Sequence, residues 1–314
     1  MKKILVLSVL ILLFLISGFV FFQNKPSAVN SIYLNAYDIP SYARLQKLAA
    51  ALKNNGYQAV VSGKNEFKSG HFNIYATDNN QNLPPVVDSS AINLLWVPSV
   101  EQNKPEVLRP YDVIVAQNMP SFIHLKAINV RTAYIPEAIN ITKNKYSISQ
   151  NKSMYYGDND TGFSLSLYLA GPTDLKVDVF GKGFSGVWGE DEIMKRTVEN
   201  EDFQRYPVVL VDQPEEDIRD ELIAPRLKEV IEKGGLPYIR YNNGLAKMFG
   251  QAIPMYMNED EFLPLLKGLL SSPQEVVERR AAIREIAKNW NSDSQAKKFI
   301  ELFEVMEKKL INKD

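Results

Sequence analysis

One strand–helix–strand unit near residue 31 constrains the fold more than any other feature. SIYLN at 31–35 is a short apolar run that predicts a strand. SYARLQKLAAALKNNG at 41–56 sets Ala43, Leu45, Leu48, Ala49 and Leu52 at helical spacing, with Gly56 as its stop. YQAVVSG at 57–63 is the next strand. A helix between two strands returns the chain to the same sheet edge, so the strands run parallel. FNIYAT, INLLWVPS, YDVIVAQN and RTAYIPEAI continue the series, with a short helix over 120–127. Strands buried on both faces read as such unbroken apolar runs. Residues 30–143 are therefore expected to form a first α/β domain.

The polar stretch NITKNKYSISQNKS at 140–153 reads as a connection, after which the pattern restarts. SMYYG, LKVDVFGKGF, YPVVLVDQP and LPYIRYNNG predict strands. IRDELIAPRLKEVIEKGG at 218–235 predicts one helix running around Pro225, and a run of helices ends the chain. The expectation is α/β, with two Rossmann-like domains facing a cleft. The second covers 150–314 and includes the terminal helices. Open parallel sheets bind ligands beyond the carboxyl ends of their strands, so the cleft is the expected site.

Residues 4–22 carry no charge; at about 1.5 Å per residue this run reaches roughly 28 Å, enough for a bilayer core. A cleaved signal peptide would be shorter and end in small residues, whereas this run ends in FVFFQNK. Residues 1–26 are therefore expected to be one uncleaved transmembrane helix, a single-pass anchor. Lys2 and Lys3 before the run place the globular part outside the cytoplasm by the positive-inside tendency. That bias is small, so the sidedness stays open.

A net charge of −1 argues against nucleic acid as a partner. The absence of cysteine excludes disulfides and thiolate chemistry, and His71 and His124 are too few for a multi-histidine metal site. No metal and no cofactor are expected.

Four loops follow strands in the second half, at 157–159, 181–183, 212–216 and 242–244. Gly181, Lys182 and Gly183 let a backbone approach a ligand while Lys182 adds charge; the alternative is an ordinary turn. Arg226 and Glu229 lie three apart, neighbours on one helix face. Pro225 suits a helix start, whose dipole would join Arg226 in favouring phosphate. Glu229 could accept from a ribose diol. Gly234 and Gly235 would end this helix. The alternative is a surface ion pair worth a few tenths of a kcal/mol.

RLKEVIEKGGLPYIRYNNGLAKMFG resembles the C-terminal domain signature of GT-B glycosyltransferases, the CgeB-like group in particular. The likeness extends upstream to LKVDVFGKGF and downstream through IPMYMNEDEFLPLLKGLLSSPQEVVERRAAIREIAKNW, covering about 155–303. It implies that Glu229 holds the donor ribose and Arg226 meets the diphosphate. Gly181 and Lys182 would lie near the phosphates or the sugar, and Asp212 and Gln213 beside the base. Gly157 and Asn243 belong to the glycine and Asn-Asn-Gly loops that would border the nucleotide. Glu221 stands eight before Glu229, the E-x7-E spacing of retaining members. Their first glutamate lies in a loop, whereas the helical pattern here runs through Glu221. Asp158 and Asp160 stand where related enzymes often place a basic residue. A weaker likeness is to the fucosyltransferase group, whose Glu-Asn signature is replaced by Asp212 and Gln213.

The resemblance implies transfer of a sugar from a nucleoside-diphosphate sugar to a glycan, lipid or protein acceptor, without a metal. The D-N-D at 158–160 reads as a turn. Asp38, at the end of the first strand, is the candidate base, with His71 and His124 behind it; each could equally be a cap or a surface residue. The alternative function is a membrane-tethered bilobed binding protein that keeps the scaffold without the catalysis.

Overall fold

The computed structural model describes residues 31–64, 66–78, 83–98, 105–142, 147–158, 163–170, 175–181 and 202–311. The expected anchor at 1–26, Lys182 and Gly183 lie outside the described residues. Among those described, no helix is long and apolar enough to cross a membrane.

The first lobe contains β1 (Ser31–Ala36), α1 (Ile39–Asn54), β2 (Gln58–Ser62), β3 (Phe72–Ala76), β4 (Ile92–Val97) and α2 (Pro105–Leu108). It continues with β5 (Val113–Ala116), α3 (Met119–Ala127) and β6 (Thr132–Tyr134). Its six strands run in the order β2-β1-β3-β4-β5-β6, each pair parallel. Every residue of β3, β4 and β5 is buried, while edge strand β2 is mixed. That contrast follows from helices covering both faces of the sheet centre.

The second lobe holds β7 (Ser153–Tyr156), α4 (Phe163–Ala170), β8 (Val177–Phe180), α5 (Asp202–Arg205), β9 (Val209–Leu210), α6 (Glu215–Arg219) and α7 (Pro225–Glu232). β10 (Pro237–Arg240), α8 (Asn243–Phe249), β11 (Met255–Tyr256), α9 (Glu259–Ser271) and α10 (Pro273–Ala287) complete it. The strand order is β11-β10-β9-β7-β8, again parallel throughout. As the sequence predicts, Gly234 (φ 79°) ends α7. A Cβ on Gly235 would come within 2.8 Å of Val230 Cγ1, so glycine lets β10 enter close beneath the helix.

The single helix expected over 218–235 is two helices. α6 stops at Arg219 and α7 starts at Pro225. The reason is Pro225: inside a continuous helix its ring would clash with the carbonyl of residue 221, and it has no N–H to donate there. Ala224 before it takes φ −54°, ψ 141°, as a pre-proline residue prefers.

The last helix, α11 (Ser292–Ile311), was expected with the second lobe; it packs on the first. Ala296, Phe299, Phe303 and Met306 join the first-lobe core. Phe299 meets Trp96 edge-on at 5.2 Å and Phe303 lies 4.4 Å from Phe72. The chain thus crosses between lobes twice, and the crossings are tied together. Asn140 Nδ2 donates to Ser292 Oγ (2.8 Å), and the Ser292 N–H donates to Asn140 Oδ1 (3.0 Å). Gln295 Nε2 donates to the Pro136 carbonyl (2.6 Å).

Candidate active site in the interlobe cleft

Parallel pairing brings all strand carboxyl ends of one sheet to one edge. A cleft of about 400 Å³ opens between the two edges. Arg44, Asp78, Gln117, Tyr134 and Glu137 line it from the first lobe, and Asp217, Glu221 and Lys247 from the second. A larger groove of about 710 Å³ runs over the second lobe alone, between α8, α9 and α10. It is bordered largely by apolar side chains and one ion pair, Glu275–Arg279. Charged side chains from both lobes line the cleft instead.

Glu221 is central to it. Freed from helix by Pro225, it adopts φ 55°, a left-handed conformation that costs a non-glycine residue about 1–2 kcal/mol. Its carboxylate accepts from Lys247 Nζ at 3.2 Å on both oxygens, and from Asn243 Nδ2. Gly244 makes this approach possible: a Cβ there would sit 2.6 Å from the Glu221 carbonyl oxygen. Asn242 Oδ1 caps α8 through the Leu245 N–H, while its Nδ2 donates to the Leu222 carbonyl and to Gln213 Oε1. The loop bearing Glu221 is thereby fixed to the end of β10. Tyr134 faces it from the first lobe; burial raises the phenol's pKa, and the Glu221 charge adds to the rise.

Gly157, Arg226 and Glu229 come together at the end of β7, beside the cleft rather than among the residues that line it. Arg226 forms an ion pair with Asp158 and lies 5.9 Å from the Tyr156 ring centre. Glu229 Oε2 accepts from the Tyr156 hydroxyl (2.7 Å), and Oε1 pairs with Lys233. Burial, then the Glu229 carboxylate, push the Tyr156 pKa up to about 12, so the phenol keeps its proton for this bond. Any ligand of Arg226 or Glu229 must compete with these partners.

Asp212 accepts from the Ser164 N–H (3.0 Å) and the Tyr155 hydroxyl (3.0 Å), and the Ser164 hydroxyl also donates to it. Its carboxylate therefore occupies the N-terminus of α4, where the dipole favours an anion. Burial raises its pKa, and these donors oppose the rise. Gly181 lies exposed just past β8.

Asp38 is a helix cap, not a base. Its Oδ1 accepts from the Ser41 N–H (2.8 Å), and its Oδ2 from Thr77 Oγ1 (2.9 Å) and the Asp78 N–H (2.7 Å). Burial alone would raise its pKa, but these bonds together outweigh burial and hold it below the usual carboxylate value. A carboxylate held ionised by several donors is a poor proton acceptor. His71 stands at the start of β3, at the opposite sheet edge, 3.7 Å from Glu307. His124 is on α3 and does not line the cleft.

Arg44, Asp78, Gln117, Tyr134 and Lys247 escaped the sequence reading. Asp78 and Gln117 closely follow the ends of β3 and β5, so the strand-end rule applied to the first half would have found them. Nothing local marks Arg44 or Lys247.

By sequence, no family model matches the chain and no curated protein is similar to it. By structure, it is similar to a Listeria monocytogenes protein assigned as a UDP-N-acetylglucosamine 2-epimerase, at 7% identity and TM-score 0.53. That match spans 90% of this chain and 98% of the other. It is also similar to an O-GlcNAc transferase variant of Thermobaculum terrenum, at 10% identity and TM-score 0.54, over 88% of this chain and 67% of the other. A trehalose-6-phosphate synthase, studied for glycosyl transfer with retention, matches at 13% identity and TM-score 0.50, over 84% and 79%. The chain has the GT-B glycosyltransferase fold.

Proposed function

We propose that the chain is a glycosyltransferase that moves a sugar from a nucleoside-diphosphate donor to a glycan, lipid or protein acceptor. We propose further that residues 1–26 tether its two lobes to a membrane. The observation that carries the reading is Glu221: a left-handed loop residue in the cleft, eight before Glu229. This is the loop placement that the E-x7-E pattern of retaining enzymes requires, and a retaining synthase is among the structural neighbours.

In transfer, the bond from the anomeric carbon to the donor phosphate oxygen breaks and a bond to the acceptor oxygen forms. The acceptor proton passes to the freed oxygen of the departing diphosphate. Negative charge grows on the leaving diphosphate, so fixed positive groups aimed there are the main catalytic term. Arg226 and the N-terminus of α7 are suited to that task, and Glu229 to the ribose. Glu221, steadied by Lys247 and Asn243, would hold the transferred sugar. No metal is needed for this arrangement.

A second reading is a bilobed binding protein without turnover. Asp158 neutralises Arg226, and Asp212 already occupies the N-terminus of α4, so the positive end of a diphosphate cradle is largely satisfied from within. The full-length chain, in mild detergent, separates the two. Release of nucleoside diphosphate from UDP- or GDP-sugars, abolished by Glu221→Gln and weakened by Glu229→Ala, supports the transferase. Tight nucleotide binding without release supports the binding protein. Neither binding nor release overturns both.

A further inference from the structure

A parallel sheet gathers its amino ends on one edge as it gathers its carboxyl ends on the other. In the first lobe the cleft takes the carboxyl edge. The amino edge consists of the residues where β1 to β6 begin and the turns before them. A depression of about 430 Å³ opens on that edge in front of β5 and β6, bordered by Arg109, Arg131 and Asp112. Both arginines are exposed, and neither has an ion-pair partner among the described residues. Asp112 Oδ2 is engaged by the Asn93 N–H (2.8 Å). Glu106 on α2 and Lys126 in the last turn of α3 flank the depression with opposite signs. Farther along the edge, Asp88 accepts from Ser90 and Glu307 lies 3.7 Å from His71, so the cationic corner is the one at β5 and β6. A guanidinium's planar fork of donors matches phosphate oxygens.

Chain connectivity says where such phosphates come from. Residues 27–30 alone separate the proposed tether from β1, which begins at Ser31. Fully extended, they reach roughly 14 Å. β5 stands three strands from β1, about 14 Å at the spacing of paired strands. The carboxyl edge lies a strand length farther off, roughly 20 Å.

We propose that the amino edge of the first lobe rests on the bilayer, Arg109 and Arg131 contacting the phosphates of anionic phospholipids, and that the cleft opens away from the membrane. The proposal rests on reading residues 1–26 as a membrane tether. It narrows the acceptor to groups presented from the aqueous phase, because headgroups of the same bilayer lie at the opposite edge.

The chain has no cysteine, so a single introduced cysteine reports its position without background. Val107→Cys, on α2 close to Arg109, marks the amino edge; Ile39→Cys, at the start of α1, marks the carboxyl edge. Both side chains are exposed. Each full-length variant carries a fluorophore and sits in nanodiscs of phosphatidylcholine with or without phosphatidylglycerol, with a nitroxide-headgroup lipid as quencher. With phosphatidylglycerol, quenching at Val107→Cys is expected to exceed that at Ile39→Cys about threefold or more. Reversing both arginines, Arg109→Glu with Arg131→Glu, should cut the Val107→Cys signal about twofold or more. Omitting phosphatidylglycerol, or raising salt from about 0.05 to 0.5 M, should do the same without any further substitution. Equal quenching at the two labels, stronger quenching at Ile39→Cys, or a Val107→Cys signal indifferent to lipid charge or to the arginine reversal overturns the proposal. A chain that enters the discs and gives one of these results sinks this inference alone; a chain that never enters them sinks the tether reading with it.

Discussion

Glu221 concentrates the conflict between stability and use at a single residue. Its left-handed backbone is a strain that glycine would not feel, and its carboxylate is held by groups that glycine would leave unpaired. Lys247 is half-exposed, so losing that pair costs little. Glu221→Gly is therefore expected to leave the melting temperature unchanged or raise it by roughly 1–3 °C, while turnover falls at least about a hundredfold. Thermal unfolding and donor hydrolysis on one preparation check this. Gly244→Ala acts the other way. The added Cβ meets the Glu221 carbonyl at 2.6 Å and should cost about 1–3 kcal/mol by denaturant unfolding. Asp38, a cap, should affect stability rather than chemistry: Asp38→Ala is expected to cost about 1 kcal/mol at neutral pH. Its folded pKa lies below the usual carboxylate value, so the ionic part of this contribution is full above the unfolded value. It is lost as pH falls through the folded pKa, and the gap between wild type and Asp38→Ala should narrow there. Urea titrations at pH 7 and in acid, below the usual carboxylate value, read the difference.

At the scale of elements, Pro225 decides the site. The stretch 218–235 has helical periodicity almost throughout, and a helix is the natural reading of it. The proline splits it, and the loop thus freed carries Glu221 into the cleft. Pro225→Ala should let α6 and α7 merge, returning residue 221 to helical geometry. The expected result is a drop in turnover of about tenfold or more, with a small gain in helical circular dichroism. A turnover rate unchanged by the substitution would show that the left-handed turn is dispensable. The sequence contained this signal, because a proline inside a helical pattern marks a break at the residues before it.

For the whole molecule, α11 is a clasp. It leaves the second lobe and closes over the first-lobe sheet, placing Phe299 and Phe303 against Trp96 and Phe72. Phe299→Ala should cost about 3–5 kcal/mol. Hydrogen exchange should show the loss in amides of β1, β3 and β4, not in the second lobe. Equal loss in both lobes would mean that they unfold as one unit. The Asn140–Ser292 pair binds the two crossings together.

The order and spacing of apolar runs by themselves determined two parallel α/β sheets, because periodicity and connection length are local properties. The same local logic put the carboxyl ends of each sheet on one edge and named Arg226, Glu229 and the loop of Asn243 as candidates, while Glu221 came from the resemblance. Pairing across space was not local. That Asp158 meets Arg226, that Asp212 caps α4, that Asp38 is held by Ser41, Thr77 and Asp78, and that α11 crosses back to Trp96 were decided by tertiary structure. A side chain's charge and hydrogen-bonding capacity are written in the sequence. Which neighbour uses them depends on distances that only the folded packing sets.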